Sequence, residues 1–407
     1  MRHGASYAGL HKPHRNPKER TMRVCLCLTI IAGWISQSAQ GADTFPQFKQ
    51  QVIDANIGKV CYAVTAADVN GDKKLDIVAV SENRVLWYQA PDWKMRVIIQ
   101  DQTPRDNVCI AAQDIDGDGK IDFALGAGWT GTGTIHWLGR GESLDQRWQV
   151  YEIGVERWLH RMRWANVMGK DRPQLVISPL NATVGNGVRL TAFEIPADPT
   201  KDRWAPTVLN GEMNKMHNHW HVDVDGDGVV DTLTASREGV HLVRRTSAGW
   251  GKTKLGSGIM ADDPNQSGAG EIKMGRLKGG GMFITTVEPM HGHSLVVYTA
   301  PDKKGELWKR HVVDEGFRRG HALWTADMDG DGSDEIVFGH SDTPEVPGVN
   351  VYDGLDENGA KWEKHVIDAG GMATEDLVVA DFTGDGRLDI LAGGRATHNV
   401  KLYVNTK

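Results

Sequence analysis

Long apolar runs are missing from this 407-residue chain; the longest, residues 24–35, is about twelve residues and too short to cross a bilayer as a helix. Positive charge is also in short supply. A formal net charge of −7 leaves no basic stripe to neutralise phosphates, which excludes a general nucleic-acid binder. Cysteine is scarce: of four, Cys25 and Cys27 fall in the apolar run, so Cys61 and Cys109 allow at most one disulfide in the rest. Two buried free thiols are the alternative. Helical stripes are absent beyond residue 41, which leaves strands and turns to build the fold. What the chain does hold is 48 Gly, 15 Pro and 14 Trp, a composition suited to many short strands joined by turns.

Residues 1–41 read as a separate segment. Arg23 precedes the apolar run, and small and polar residues ending Ser38-Ala-Gln-Gly41 follow it, the order of a secretory signal. The polar stretch before Met22 is foreign to such a signal, so Met22 reads as the true start, with an uncleaved extension from Met1 as the alternative. Removing 1–41 takes away six Lys/Arg and one Glu, and −7 becomes −12. An excess of that size repels itself unless cations neutralise it. The expected location is secreted or periplasmic.

One phrase recurs through residues 42–407. Asp114-Ile-Asp-Gly-Asp-Gly-Lys-Ile-Asp122, followed by an apolar strand, returns at 68–76, 223–231, 327–335 and 381–389. Eroded copies stand at Asn166 and Ile272. The seven starts lie 46 to 57 residues apart, the period of a propeller blade. Each unit repeats an inner strand, the acidic loop, an apolar second strand, a third with an aromatic, and a fourth that opens on Trp and alternates, as in 308–314 and 362–368. The chain ends on a third strand, 400–404, while 48–54 matches the fourth-strand pattern. The expectation is an all-β, seven-bladed propeller of four-stranded antiparallel blades, closed by the N-terminal strand, with an open solenoid as the alternative.

The loops carry ligand chemistry. Carboxylates at positions 1, 3, 5 and 9, with Gly at 6, suit a hard cation that takes oxygen ligands, Ca²⁺ above all. Five structural calcium sites are expected: Asp68, Asn70, Asp72 and Asp76; Asp114, Asp116, Asp118 and Asp122; Asp223, Asp225, Asp227 and Asp231. The sixth unit offers Asp327, Asp329, Asp331 and Glu335, and the seventh Asp381, Thr383, Asp385 and Asp389. Plain Asp-Gly turns are the alternative.

The opposite face gathers histidines. Six residues before the loop start stand His160, His217 and His321, with Glu375 in the last unit and Tyr62, Val108 and Gln266 in the others. Such positions converge on the axis of a ring. Loops between second and third strands add His291, His293, His340 and His398, with His219 close by and Arg161, Arg319 and Arg395 near them. Two chemistries fit. Three imidazoles, with Glu375, would hold Zn²⁺ or another divalent metal as a Lewis acid. Alternatively His291 or His219 acts as general base while arginines steady an enolate. Trp129, Glu288, His293 and His398 form the expected substrate rim, and His311 and His365 read as surface residues. Histidines that merely plug the channel are the structural alternative.

The acidic loops resemble the FG-GAP/VCBS repeat family, which implies a calcium-stabilised seven-bladed propeller over nearly all of 47–407. A narrower likeness is to the propeller part of the aldos-2-ulose dehydratases. It rests on Glu288-Pro-Met-His-Gly, on Gly320-His-Ala-Leu ahead of Asp327, and on Gly370-Gly-Met-Ala with Gly393-Gly-Arg-Ala-Thr-His398. That likeness implies a metal-assisted lyase acting on a 2-keto or 3-keto sugar by β-elimination. No cupin-like stretch accompanies it, so a second, isomerase step is not expected. A non-catalytic propeller that binds a glycan or a protein is the alternative, and a hydrolase on the same scaffold the third.

Overall fold

The computed structural model describes residues 45–182, 187–341 and 346–407; the leader and its proposed start at Met22 lie outside the described residues. Twenty-eight strands form seven four-stranded sheets, and among the described residues the only helical piece is a short 3₁₀ turn, Pro264–Gln266. Blade 1 runs Cys61–Ala67, Asp76–Ser81, Arg84–Gln89 and Lys94–Gln100, each antiparallel to the next. Blades 2 to 6 repeat it. Blade 7 takes Thr374–Ala380, Asp389–Gly394 and Val400–Asn405 from the C-terminal end and Phe48–Asp54 from the N-terminal end, paired from Phe48↔Asn405 to Asp54↔Val400. The ring is closed as the orphan strand implies.

Strand position dictates strand composition. Second strands such as Asp76–Ser81 and Asp389–Gly394 are buried along their whole length, which is why they read as unbroken apolar runs. Fourth strands lie outermost and alternate, with Val52, Val312 and Val366 still exposed. The apolar core is not one body but seven, each filling one junction between neighbouring blades. Val78 and Trp87 of blade 1 meet Phe123 and Trp148 of blade 2; Leu391 and Leu402 of blade 7 meet Ile77 and Leu86 of blade 1.

A polar pin recurs at three junctions. An Asp at or next to the end of a fourth strand accepts a hydrogen bond from a third-strand Tyr of the next blade: Tyr88 to Asp54 at 2.5 Å, Tyr352 to Asp314 at 2.6 Å, Tyr403 to Asp368 at 2.7 Å. Among the described residues Cys61 and Cys109 are both free, and no disulfide joins them. Each fills its own buried gap. A Cβ on Gly393 would lie 2.5 Å from Cys61 Sγ, and one on Gly126 would lie 2.7 Å from Cys109 Sγ. Burial pushes the Cys109 thiol up to about 12, so it stays protonated.

One repeat boundary needs correction. In blade 5, Ile272 opens the inner strand, Ile272–Arg276, and does not open the loop that follows it. Counting back from 272 therefore reached Gln266, which lies in the exposed 3₁₀ turn, and missed Glu271 at the strand's head.

Removing one pin tests the junctions. Tyr403→Phe strips a charge-directed hydrogen bond from buried Asp368, which keeps Lys401 Nζ at 2.9 Å. The expected loss is about 1–2 kcal/mol in denaturant melts, while the surface change Lys309→Gln should leave the midpoint in place.

Candidate active site

Because all seven inner strands start at one rim, residues at their heads meet on the axis. His160, His217, His291 and His321 each offer a ring nitrogen within 4.8 Å of those of the others. Three come from inner-strand heads; His291 arrives from the loop before Ser294–Thr299. Backbone geometry repeats behind the three. The residue two before each histidine, Trp158, Lys215 and Arg319, has a left-handed φ of 63°, 45° and 47°. His291 itself stands at 52°. Non-glycine residues seldom adopt this region, and such strain is found where a site over-determines the chain.

Partners fix the proton on three of the rings. His160 Nδ1 lies 3.0 Å from the carbonyl of His217, and His321 Nδ1 lies 2.5 Å from that of Glu375. A carbonyl can only accept, so both Nδ1 atoms carry the proton and both Nε2 atoms keep a lone pair. His217 Nδ1 sits 2.9 Å from Glu271 Oε1, an ion-pair distance although off the line of a straight hydrogen bond. His291 differs. Arg319 Nη1 stands 3.3 Å from its Nδ1 and can only donate, so the proton lies on Nε2, 2.7 Å from His217 Nε2.

Burial holds His160, His291 and His321 well below the usual imidazole range, helped by one another's rings and by Arg161. His217 is lowered by burial too, against the pull of Glu271. Glu271 is the residue the sequence reading missed. It takes Arg161 Nη2 at 3.1 Å and Asn218 Nδ2 besides His217, and the Arg161 charge with the His217 contact holds it ionised against its burial. Glu375 stands beside the imidazoles, not among them. Its Oε1 is 3.6 Å from His321 Nε2 and 2.7 Å from Arg395 Nη1, while Oε2 accepts no hydrogen bond among the described residues. Burial raises its pKa, with Arg395 and Arg319 opposing.

Other expected residues fall elsewhere. His219 does not reach the cluster; its Nδ1 meets Ser178 Oγ at 2.9 Å and its ring packs on His221. Glu288 is not a rim residue but a fully buried carboxylate held by Arg310, Tyr298 and Thr286. His340 packs on Phe338, His293 and His398 are exposed, and Arg161, buried at the floor of the mouth, is tied to Glu271. Trp129 lines the mouth with Tyr62, Arg319 and Arg395, its ring 6.1 Å from that of His160. The enclosed space is about 30 Å³, room for a water or an ion. His365 lies on an outer strand with its ring stacked on Phe45, and His311 meets Thr299.

On the far face, position 4 of each acidic loop is a Gly with φ between 74° and 83°, which lets its N–H reach the position-1 carboxylate at 2.7–2.8 Å. The position-9 carboxylate is buried and accepts the position-2 N–H, as Asp76 does from Val69. Carboxylates gather within 4.8 Å in three loops: Asp114, Asp116 and Asp122; Asp223, Asp225 and Asp231; Asp327, Asp329 and Glu335. Blade 4 already holds a cation, for Arg244 reaches Asp225 at 2.7 Å and Asp231 at 2.5 Å. In blade 6, buried Glu335 Oε1 accepts no hydrogen bond among the described residues, and burial with nearby aspartates pushes its pKa up to about 9.

Two family models match this chain. The aldos-2-ulose dehydratase β-propeller domain matches residues 132–301, a window holding His160, His217 and His291, and an FG-GAP-like repeat matches 68–125 and 327–392. The aldos-2-ulose dehydratase of Phanerodontia chrysosporium is 29% identical over 276 residues, 60% of this chain and 30% of that protein. The chain thus spans less than a third of that relative's length. Among solved structures, BBS1N in its crystal complex with ARL6DN matches with a TM-score of 0.53 at 12% identity, covering 89% of this chain and 97% of that one. That likeness is of fold alone.

The buried imidazoles set a pH dependence. Above the ordinary pKa of 6.5 they are neutral both folded and unfolded. Below it the unfolded chain takes protons that the folded one refuses, so stability falls as pH drops. Chelator-treated protein should therefore melt at progressively lower temperature from pH 7 to pH 5. His291→Gln should flatten that slope in the same scans.

Proposed function

We propose that this chain is a carbon–oxygen lyase that dehydrates a keto-sugar, with a divalent metal held by His160, His217 and His321. The supporting observation is their shared wiring: three buried neutral rings, each with Nδ1 turned to an oxygen, the arrangement that orients histidine ligands. Three imidazoles of this kind suit zinc or a similar ion. Bound there, such an ion would serve as a Lewis acid on the sugar carbonyl, making the neighbouring C–H acidic.

The protein's own groups would carry the proton. Glu375 Oε2, which accepts no hydrogen bond among the described residues and lies 3.8 Å from Arg319 Nη2, has its basicity raised by burial and is the base that takes the C–H proton. The electron pair closes a double bond as the C–O bond to the β-hydroxyl breaks. His291 Nε2–H, backed by Arg319, donates to the departing hydroxyl, which leaves as water, and the proton on Glu375 returns to His291 through solvent at the mouth. Arg319 at its Nδ1 thus favours a donor's role for His291 over a base's. Arg161 acts at one remove, holding Glu271 against His217. Trp129 offers a face for the sugar ring, which would dock over the mouth with only its reacting edge inside.

Calcium belongs to the same proposal. The loops of blades 1, 2, 6 and 7 would take it, and Glu335 Oε1, without a hydrogen bond among the described residues, favours a cation in blade 6. In blade 4, Arg244 competes for the same carboxylates. Loops of this type suit a calcium-rich exterior, in keeping with export. The small enclosed volume supports the second reading, a propeller that only binds a glycan or protein at its rim.

Metal analysis of purified protein together with elimination assays on 2-keto and 3-keto sugars separates the two. About one transition-metal ion per chain beside calcium, lost in His321→Ala together with activity, is the expected result. Glu375→Gln should keep the metal and lose about 10²–10⁴-fold in rate. Calcium alone would favour the binder. A folded His321→Ala protein eliminating at the full rate would sink the site.

A further inference from the structure

Beneath the imidazoles the axis of the ring widens into a second cavity of about 330 Å³, lined by inner-strand residues of all seven blades. That is ligand-sized, and its charges do not balance. Arg161, Arg163 and Lys273 face Glu271 and Asp376. Both carboxylates are engaged, Glu271 by Arg161, Asn218 and His217, and Asp376 by the backbone N–H of Val64 at 3.1 Å. Arg163 gives one N–H to Asn218 Oδ1 at 2.8 Å. Lys273, only 2% exposed, reaches one weak acceptor, the carbonyl of Ile272 at 3.4 Å. Neither cation has a carboxylate at ion-pair distance among the described residues. Instead they share an aromatic wall: Lys273 Nζ lies 4.4 Å from the ring of Trp220 and 5.3 Å from that of Trp324, and Arg163 5.2 Å from Trp220.

A guanidinium has five donors and an ammonium three, and among the described residues each of these two side chains makes a single hydrogen bond. Lys273 is a buried charge without a counter-charge, which is costly, while half-buried Arg163 turns its spare donors to the channel. We propose that this cavity binds a small oxyanion, a carboxylate or a phosphate, free or as the charged end of a compact molecule, between Lys273 and Arg163. Trp220 and Trp324 would flank the apolar part of such a molecule. Burial, with Arg163 beside it, pushes the Lys273 ammonium down to about 7, and Arg163 down to about 10 next to Arg161; an anion between them would relieve both. The site is distinct from the imidazole pocket, which neither Lys273 nor Arg163 lines, although Arg161 borders both.

Calorimetric titration of the purified protein with inorganic phosphate and, separately, with gluconate tests this. One saturable site for either is expected, accompanied by a change in tryptophan fluorescence, and the anion that binds names the class. Lys273→Met and Arg163→Gln, each losing a charge-assisted bond, should weaken binding about 10–100-fold. Should either variant fail to fold, wild-type protein still decides: the bound anion should protect Lys273 from reductive methylation, read by peptide mass. No saturable binding of either anion, binding that survives both substitutions, or unprotected Lys273 at saturation would overturn the proposal.

Discussion

Everything in this molecule depends on one strand pairing, that of Phe48–Asp54 with Val400–Asn405. Each blade contributes only half of the apolar filling at each of its junctions, so no blade has a complete core alone. A ring gives every sheet two neighbours; an open array would leave two faces and an unpaired edge in water. Closure also fixes the axis. The candidate site exists because blades 3, 4, 5, 6 and 7, far apart in sequence, deliver side chains to a point no single blade could define.

The axis is polar where the junctions are apolar, and its parts hold one another. Glu271 is ionised because Arg161, Asn218 and His217 surround it, and His217 is oriented because Glu271 is there. Such a network is worth more complete than broken, since loss of one member strands a buried charge. The left-handed residues before three of the histidines tell the same story from the backbone side: local conformation is sacrificed so that the rings arrive together.

Much of this was legible in residues. The acidic phrase set the repeat, the unbroken apolar run marked second strands, and the lone fourth-strand pattern at 48–54 foretold closure. Counting back from the loop found His160, His217 and His321 because a repeat fold converts equal offsets into shared position. The same device failed in blade 5, where the loop is eroded and nothing marks its start, so Glu271 went unseen. His219 and Glu288 misled for another reason. Alternation along a strand decides whether a side chain faces the axis or the neighbouring sheet, and proximity in sequence to an axial residue says nothing of that. Nor could tautomers be read: they follow from which oxygen lies beside which ring nitrogen, as the contrast between His321 and His291 illustrates.

The pairing that seals the ring joins the first described strand, Phe48–Asp54, to the last, Val400–Asn405. The 359-residue separation between Gln47 and Thr406 means that the seam forms only after all the blades between them have been made. Until then Val400–Asn405 has no outer partner and the junction between blades 7 and 1 has only one side. Long-range contacts of this kind come late and slowly. Assembly therefore ends at the same place where the architecture is guaranteed, and a nascent chain held by its far end is a row of blades still waiting to become a wheel.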